Sequence, residues 1–260
     1  MNLKAHFKDQ NHDTDLMIIN SGTYDNGATF SFELDGIRFV SECGTLRDFQ
    51  LADPVCFKEA KDKFHILRWG GNEKSDGALN YTYVLQRFEM RVEFPITLYD
   101  KHTEKNVDGI LYFAYELIEG GPGAAKVMDG SEVVYIDGCK VLAFGVNVGD
   151  KNYECDYKTE YFETSMNELS GKMQDDYHML CCFTCQYSDY SPYGNMEFGD
   201  MQCYKDHKDE YLSIKTKDGF IERLGNLASI RKQEISYCDE FRLRNICDGY
   251  RGFVDGIEEL

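Results

Sequence analysis

The sequence predicts a mainly β protein of α+β type, with an antiparallel, sandwich-like N-terminal part over residues 1–174 and a smaller cysteine-rich α+β part over 175–260. Three observations predict it. Polar and apolar residues alternate in runs across residues 15–160, the period of a half-buried strand. Asp-Gly dipeptides punctuate those runs, and the type I′ turn that they favour needs positive φ at both central residues. Beyond residue 175 the composition changes abruptly to cysteine and tyrosine. With 260 residues, 42% hydrophobic and 14% aromatic, the chain can bury a large core, as one domain or two unequal ones, so disorder is excluded as the default. Only 4 prolines stand against 23 glycines, which suits strands joined by glycine turns.

The elements follow in order. Phe30, Phe32 and Leu34 share one face, opposite Thr29, Ser31 and Glu33; Asp35-Gly36 follows, and then Ile37, Phe39 and Val40, a hairpin pattern. Residues 70–80 and 119–130 read as long polar loops, the second carrying Gly-Gly-Pro-Gly. Phe88, Met90, Val92, Phe94, Ile96 and Leu98 alternate against Glu89, Arg91 and Glu93, and Pro95, which has no N–H to donate, predicts an edge or a bulge there. Residues 109–118 are nearly all apolar and predict a strand buried on both faces. Val133–Ile136 and Val141–Phe144 flank Asp137-Gly138, a second expected hairpin. Phe162, Met166, Leu169 and Met173 make a helical stripe, and Phe220, Leu224 and Leu227 make a shorter one.

Charge limits the partners. Lys plus Arg is 28 against 46 Asp plus Glu, a formal net charge of −18 with no basic run, so nucleic acid and anionic membranes are repelled. Such acidity predicts either a protein partner with a cationic surface or a purely solubilising role. The N-terminal residues have no apolar signal core and no spanning run occurs, so the expectation is a cytoplasmic protein without a membrane partner. Ten cysteines in a reducing compartment are then buried, metal-bound or catalytic rather than paired.

The most biased stretch is Cys181–Asn195. Cys182-Phe183-Thr184-Cys185 is a C-x-x-C, and Cys203 and Cys238 extend it to C-x2-C-x17-C-x34-C. Two thiolates at that spacing reach one ion when the chain turns between them, and two further sulfurs complete a tetrahedral structural zinc site. Cys182, Cys185, Cys203 and Cys238 are therefore the favoured zinc ligands, with His207, Cys247 and Cys181 as substitutes. Plain burial of the cysteines as small hydrophobes is the alternative. Tyr187, Tyr190 and Tyr193 recur at every third position in a turn-rich segment, either half-buried over a loop or an exposed aromatic shelf. Tyr190, Tyr193, Asp189 and Arg251 are the residues that would meet a partner, Arg251 because a guanidinium between glycines binds a carboxylate in two-pronged fashion or forms an internal salt bridge.

The wording of this segment resembles an uncharacterised bacterial family of unknown function. The similarity rests on C-x-x-C-x-Tyr-Ser-Asp-Tyr-Ser-Pro-Tyr-Gly, on Cys203, on Tyr237-Cys238-x-x-Phe241-x-x-Arg244 and on Gly249-Tyr250-Arg251-Gly252, spanning residues 180–253. The family's arginine stands one position nearer the phenylalanine, so Arg242 and Arg244 both remain counterparts. The resemblance implies that the four cysteines act as a set, and it implies no activity.

No catalytic constellation stands out: the six histidines show no ligand spacing, and there is neither a G-x-S-x-G nor a phosphate-binding loop. The expected role is a cytosolic binding protein, of the kind that neutralises a toxin domain as an immunity or antidote protein. An enzyme with a cysteine or zinc site and a purely structural module are the alternatives.

Overall fold

The computed structural model describes residues 1–21, 29–41, 45–73, 79–129, 132–159, 161–190, 198–199, 201–224 and 230–244. The chain is mostly β, with a large antiparallel sheet and a small α/β region towards the C-terminus. Two compact units divide it: Met1–Glu93 with Phe113–Ala143, and Phe94–Tyr112 with Phe144–Leu260. The compositional boundary at 174/175 falls inside the second.

In the first unit the strands are β1 (Asn2–Lys8), β2 (Asp13–Asn20), β3 (Phe30–Leu34), β4 (Ile37–Ser41), β5 (Gln50–Leu51), β6 (Ile66–Glu73), β7 (Leu79–Leu85), β10 (Ala125–Asp129) and β11 (Glu132–Ile136), with parts of β8 (Glu89–Asp100), β9 (Lys105–Ile118) and β12 (Gly138–Val148). Their order is β11-β10-β6-β7-β5-β4-β3-β2-β1-β8-β9-β12. A single residue, Asp137, joins β11 at one end of that order to β12 at the other, so the sheet curls until its ends approach. The helix α1 (Phe57–Lys63) leads into β6.

The Asp35-Gly36 hairpin is as the sequence predicts. Leu34 pairs with Ile37, and Asp35 and Gly36 have φ of 50° and 76°, the positive values of a type I′ turn. The expected hairpin at Asp137-Gly138 is corrected: β11 pairs with β10, not with β12. Its glycine answers a packing demand instead, since a Cβ on Gly138 would lie 2.1 Å from the Gly121 carbonyl oxygen. Asp137 is buried, its N–H donates to Gln86 Oε1, and its Oδ2 accepts the Arg87 N–H. The two expected loops shrink as well. The strands β6 and β7 reach Glu73 and Leu79, leaving only 74–78 outside the described residues between them, and β10 starts at Ala125 after turns at Gly120 and Gly123. Backbone pairing takes up polar residues that composition alone assigns to loops.

The interior of this unit is aromatic. Phe32 meets Phe39 and Phe49 at 5.1 and 4.9 Å, Phe39 meets Phe64 at 5.1 Å, and Phe7 stacks on Phe88 at 5.4 Å. All of these rings are buried.

The second unit holds the remaining parts of β8, β9 and β12, then β13 (Lys151–Glu154), β14 (Tyr177–Met179), α2 (Phe162–Met173), β15 (Ser188–Asp189), β16 (Met201–Cys203), α3 (Lys208–Leu212), α4 (Lys217–Leu224) and β17 (Ile230–Lys232). Phe162, Met166, Leu169 and Met173 are all buried, the stripe that the sequence predicts for α2. Phe220 is buried on α4, whereas Leu227 lies outside the described residues. Leu111 and Tyr112 of β9 are buried here and Phe113–Tyr115 in the first unit, as the apolar run predicts. Pro95 lies between the stretch of β8 that pairs with β1 (Glu89–Glu93) and the stretch that pairs with β14 (Leu98–Asp100), where its missing N–H costs no ladder bond. Among the described residues no helix is long and apolar enough to cross a membrane.

Candidate functional site

The cysteine-rich segment is organised around one tight turn. Cys182–Thr184 forms a single 3-10 turn closed by the Cys185 N–H on the Cys182 carbonyl at 3.2 Å. The Cys181 side chain accepts from the Thr184 N–H, and the Thr184 hydroxyl donates to the Met179 and Cys181 carbonyls at 2.5 and 3.1 Å. Cys181 is thereby a cap, with its sulfur turned to its own turn.

Two other segments register against this turn. The Cys182 and Phe183 N–H groups donate to the Ser236 and Glu234 carbonyls, Gln186 N–H donates to Arg242, Arg244 N–H donates to Thr184, and Cys185 bridges Leu243. Ser188 pairs with Cys203 in the β15–β16 ladder, and the Ser188 hydroxyl donates to the Cys182 and Cys185 carbonyls. Phe241 N–H closes a turn on the Cys238 carbonyl, and Glu240 within that turn pairs with Lys205 and Lys208, just beyond Cys203. The backbone thus brings the turn at Cys182 and Cys185, the end of β16 at Cys203 and the turn at Cys238 into one neighbourhood. Cys182, Cys185 and Cys203 are buried and Cys238 is exposed.

The thiols act on one another. Burial pushes the Cys182 thiol well above the ordinary range, and Cys181, Cys185, Cys203 and Cys238 add to the shift. The Cys203 thiol is raised by burial first and then by Cys185 and Cys238, with the nearby Lys205 backbone opposing the rise. As the side chains stand, no three His, Cys, Asp or Glu groups among the described residues are arranged to hold one metal ion. His207 lies half-buried at the start of α3, and Cys247 lies outside the described residues.

Beside the thiols lies a buried polar network. Arg244 is 1% exposed and donates to the Cys185 and Ser188 carbonyls and, at 3.3 Å, to the Tyr211 hydroxyl. Tyr211 in turn donates to Asp189 Oδ2 at 2.9 Å, and burial followed by the Asp189 charge raises its own pKa. Glu234, fully buried, accepts from the Tyr190 hydroxyl and the Gly199 N–H. The expectation that Tyr190 and Asp189 meet a partner is therefore corrected: at 4% and 2% exposure they are interior groups satisfied by Glu234 and Tyr211. Tyr193 and Arg251 lie outside the described residues. Of the two motif arginines, Arg244 is the interior one, whereas Arg242 is exposed and donates to the neighbouring Phe241 carbonyl at 2.7 Å.

A second feature, unforeseen in the sequence, lies on the first unit. Met17 and Ile19 of β2 are 48% and 56% exposed. The β-ladders align them with neighbours on the same face: Glu93–Lys4–Met17, Arg91–His6–Asp15 and Asn2–Ile19–Ser31, with Glu33 opposite Arg38 alongside. Two shallow depressions of about 440 and 620 Å³ share this face and meet at Asp15, Leu16 and Met17. His6, between Asp13 and Asp15, has its pKa raised, chiefly by the Asp15 hydrogen bond. The signal was there in Leu16-Met17-Ile18-Ile19, whose apolar residues must point to both faces of a strand.

A family model described as a family of unknown function (DUF6304) matches residues 1–188, well over half of the chain, and the chain belongs to that family. No curated protein and no solved structure matches it.

Proposed function

We propose that this member of DUF6304 is a binding protein for a protein with a cationic surface, and that the Met17–Ile19 face of the first unit is where that partner docks. The observation that carries the reading is the face itself: exposed apolar side chains at the centre of a concave sheet surface, ringed by charge. Interfaces have this anatomy, an apolar centre that supplies affinity and a polar rim that supplies register. The face itself mixes charge, Asp13, Asp15, Glu33, Glu89 and Glu93 with Lys4, Lys8, Arg38 and Arg91; it is the net charge of −18 over the whole chain that makes a basic partner the complementary one. The cellular role that fits is neutralisation, an immunity or antidote protein against a toxin domain. The setting that fits is the cytoplasm, since the described cysteines are free thiols, the state a reducing compartment maintains.

The test uses the full chain. A partner captured from the source cell is identified and titrated against the wild type and against M17D/I19D, at low and at high salt. The expected result is a partner with a basic face, whose binding weakens by about tenfold or more in the double variant, some 1.4 kcal/mol, and weakens again as salt rises. A partner without a basic face, binding indifferent to both changes, or capture only of a second copy of the chain would overturn the proposal. Both positions are exposed, so the variants are expected to keep the wild-type melting curve.

A further inference from the structure

The geometry points to a tetrathiolate metal site, formed by Cys182, Cys185, Cys203 and Cys238 and taking one zinc ion, that closes the cysteine-rich segment. It does not rest on the docking proposal.

The backbone supplies most of the argument. A metal site made from distant parts of a chain needs its ligand-bearing turns already adjacent, and here three are. Cys182 N–H bonds Ser236, two residues before Cys238. Ser188, three residues after Cys185, is the ladder partner of Cys203. Glu240, two residues after Cys238, is held by Lys205 and Lys208. Each pair of ligand turns is thus joined by a bond that is not itself a metal bond. As the side chains stand, the four thiols do not converge on one point, so closing onto an ion requires them to turn towards it.

The donor chemistry fits zinc. Four sulfurs form the closed structural set of that ion, and soft thiolates select it over calcium or magnesium.

Position separates the ligands from the substitutes. Cys181 accepts from its own turn and caps it, so Cys182 is the first ligand. His207 stands past the turn that follows Cys203, at the head of α3. The inner side of the site is buried polar structure: Arg244 binds the Cys185 carbonyl, and Ser188 binds those of Cys182 and Cys185. That enclosure makes the ion a structural tie.

The experiment is elemental analysis of the full chain purified under reducing conditions, combined with cobalt substitution. One zinc per chain is expected, together with a cobalt spectrum showing tetrahedral bands and intense thiolate charge transfer. C185S and C238S are expected to drop to near zero metal, while C56S, in the first unit, retains it. Absence of stoichiometric metal, or a cobalt spectrum without thiolate bands, would overturn the site. Retention of metal by both C185S and C238S would overturn the ligand assignment. Because the cobalt spectrum is read on the wild-type chain, the test stands even where a cysteine variant does not fold.

Discussion

The first unit and the cysteine-rich segment both bury apolar clusters, Tyr204, Tyr211, Ile214 and Phe220 in the second, but only the second adds a dense buried polar network. In the first unit the interior is a net of phenylalanines, Phe7, Phe32, Phe39, Phe49, Phe64 and Phe88, touching ring to ring. Its stabilisation is apolar burial, spread over many contacts, none of them directional. In residues 181–244 the interior includes Cys182, Thr184, Ser188, Asp189, Glu234 and Arg244, each tied by particular hydrogen bonds. Strands there are only two or three residues long, so backbone ladders contribute little. The difference teaches where single atoms matter. A methyl lost from the aromatic net is a local loss, whereas a donor lost from the buried network strands a charge.

The largest expected effect tests this directly. Arg244→Leu removes the cation beside Asp189 and the donor to the Cys185 and Ser188 carbonyls, and should cost about 3–5 kcal/mol. Hydrogen exchange should show the loss concentrated in residues 181–244, while β1–β4 keep their protection. A cost like that of a surface substitution would break the comparison.

Next comes a contrast inside the first unit. Gly138→Ala pushes a Cβ against Gly121 backbone at 2.1 Å and should cost about 3 kcal/mol, because backbone cannot rotate away. Gly36→Ala meets nothing within 4 Å and bears only the strain of its φ of 76°, about 1 kcal/mol. Denaturant midpoints of the two variants measure the difference.

The smallest effect is electrostatic. His12 lies flat on Phe64 at 4.6 Å and binds Asp9 and Asp35 at 2.8 and 3.1 Å. Burial lowers its pKa, but the two carboxylates outweigh burial and the net shift is upward from 6.5. A raised folded pKa means that the stabilisation is complete below the unfolded value and is lost as pH rises through the folded one. His12→Gln should therefore cost more at pH about 5.5 than at about 8.5, by less than about 1 kcal/mol. Equal costs at both pH values would remove the ion pairs from the account.

The two Asp-Gly sequences show how far local reading reaches. Asp35-Gly36 is legible because a two-residue turn is decided by its own φ values. Asp137-Gly138 looks the same in sequence, yet it joins strands at opposite ends of a curled sheet, and its glycine is required by Gly121, far away in the chain. The cysteine spacing is also legible, and the backbone brings the turns at Cys182, Cys203 and Cys238 near one another, which is as far as local reading carries there. Arg244, Glu234 and Asp189 are not legible as an interior network, since charged residues are ordinarily outside and only burial among fixed carbonyls marks them.

Legible from the chain alone were the β-rich class, the buried strand around Tyr112–Tyr115, the stripe of α2 and the Asp35-Gly36 turn. These are properties of periodicity and of local backbone preference, and neighbours along the chain carry them. Packing between distant residues settled the curl of the sheet, the exposure of Met17 and Ile19, and the interior fate of Tyr190 and Asp189. Each of those depends on which distant residue arrives opposite. A strand carries side chains on both faces, and only its partners settle which face meets water.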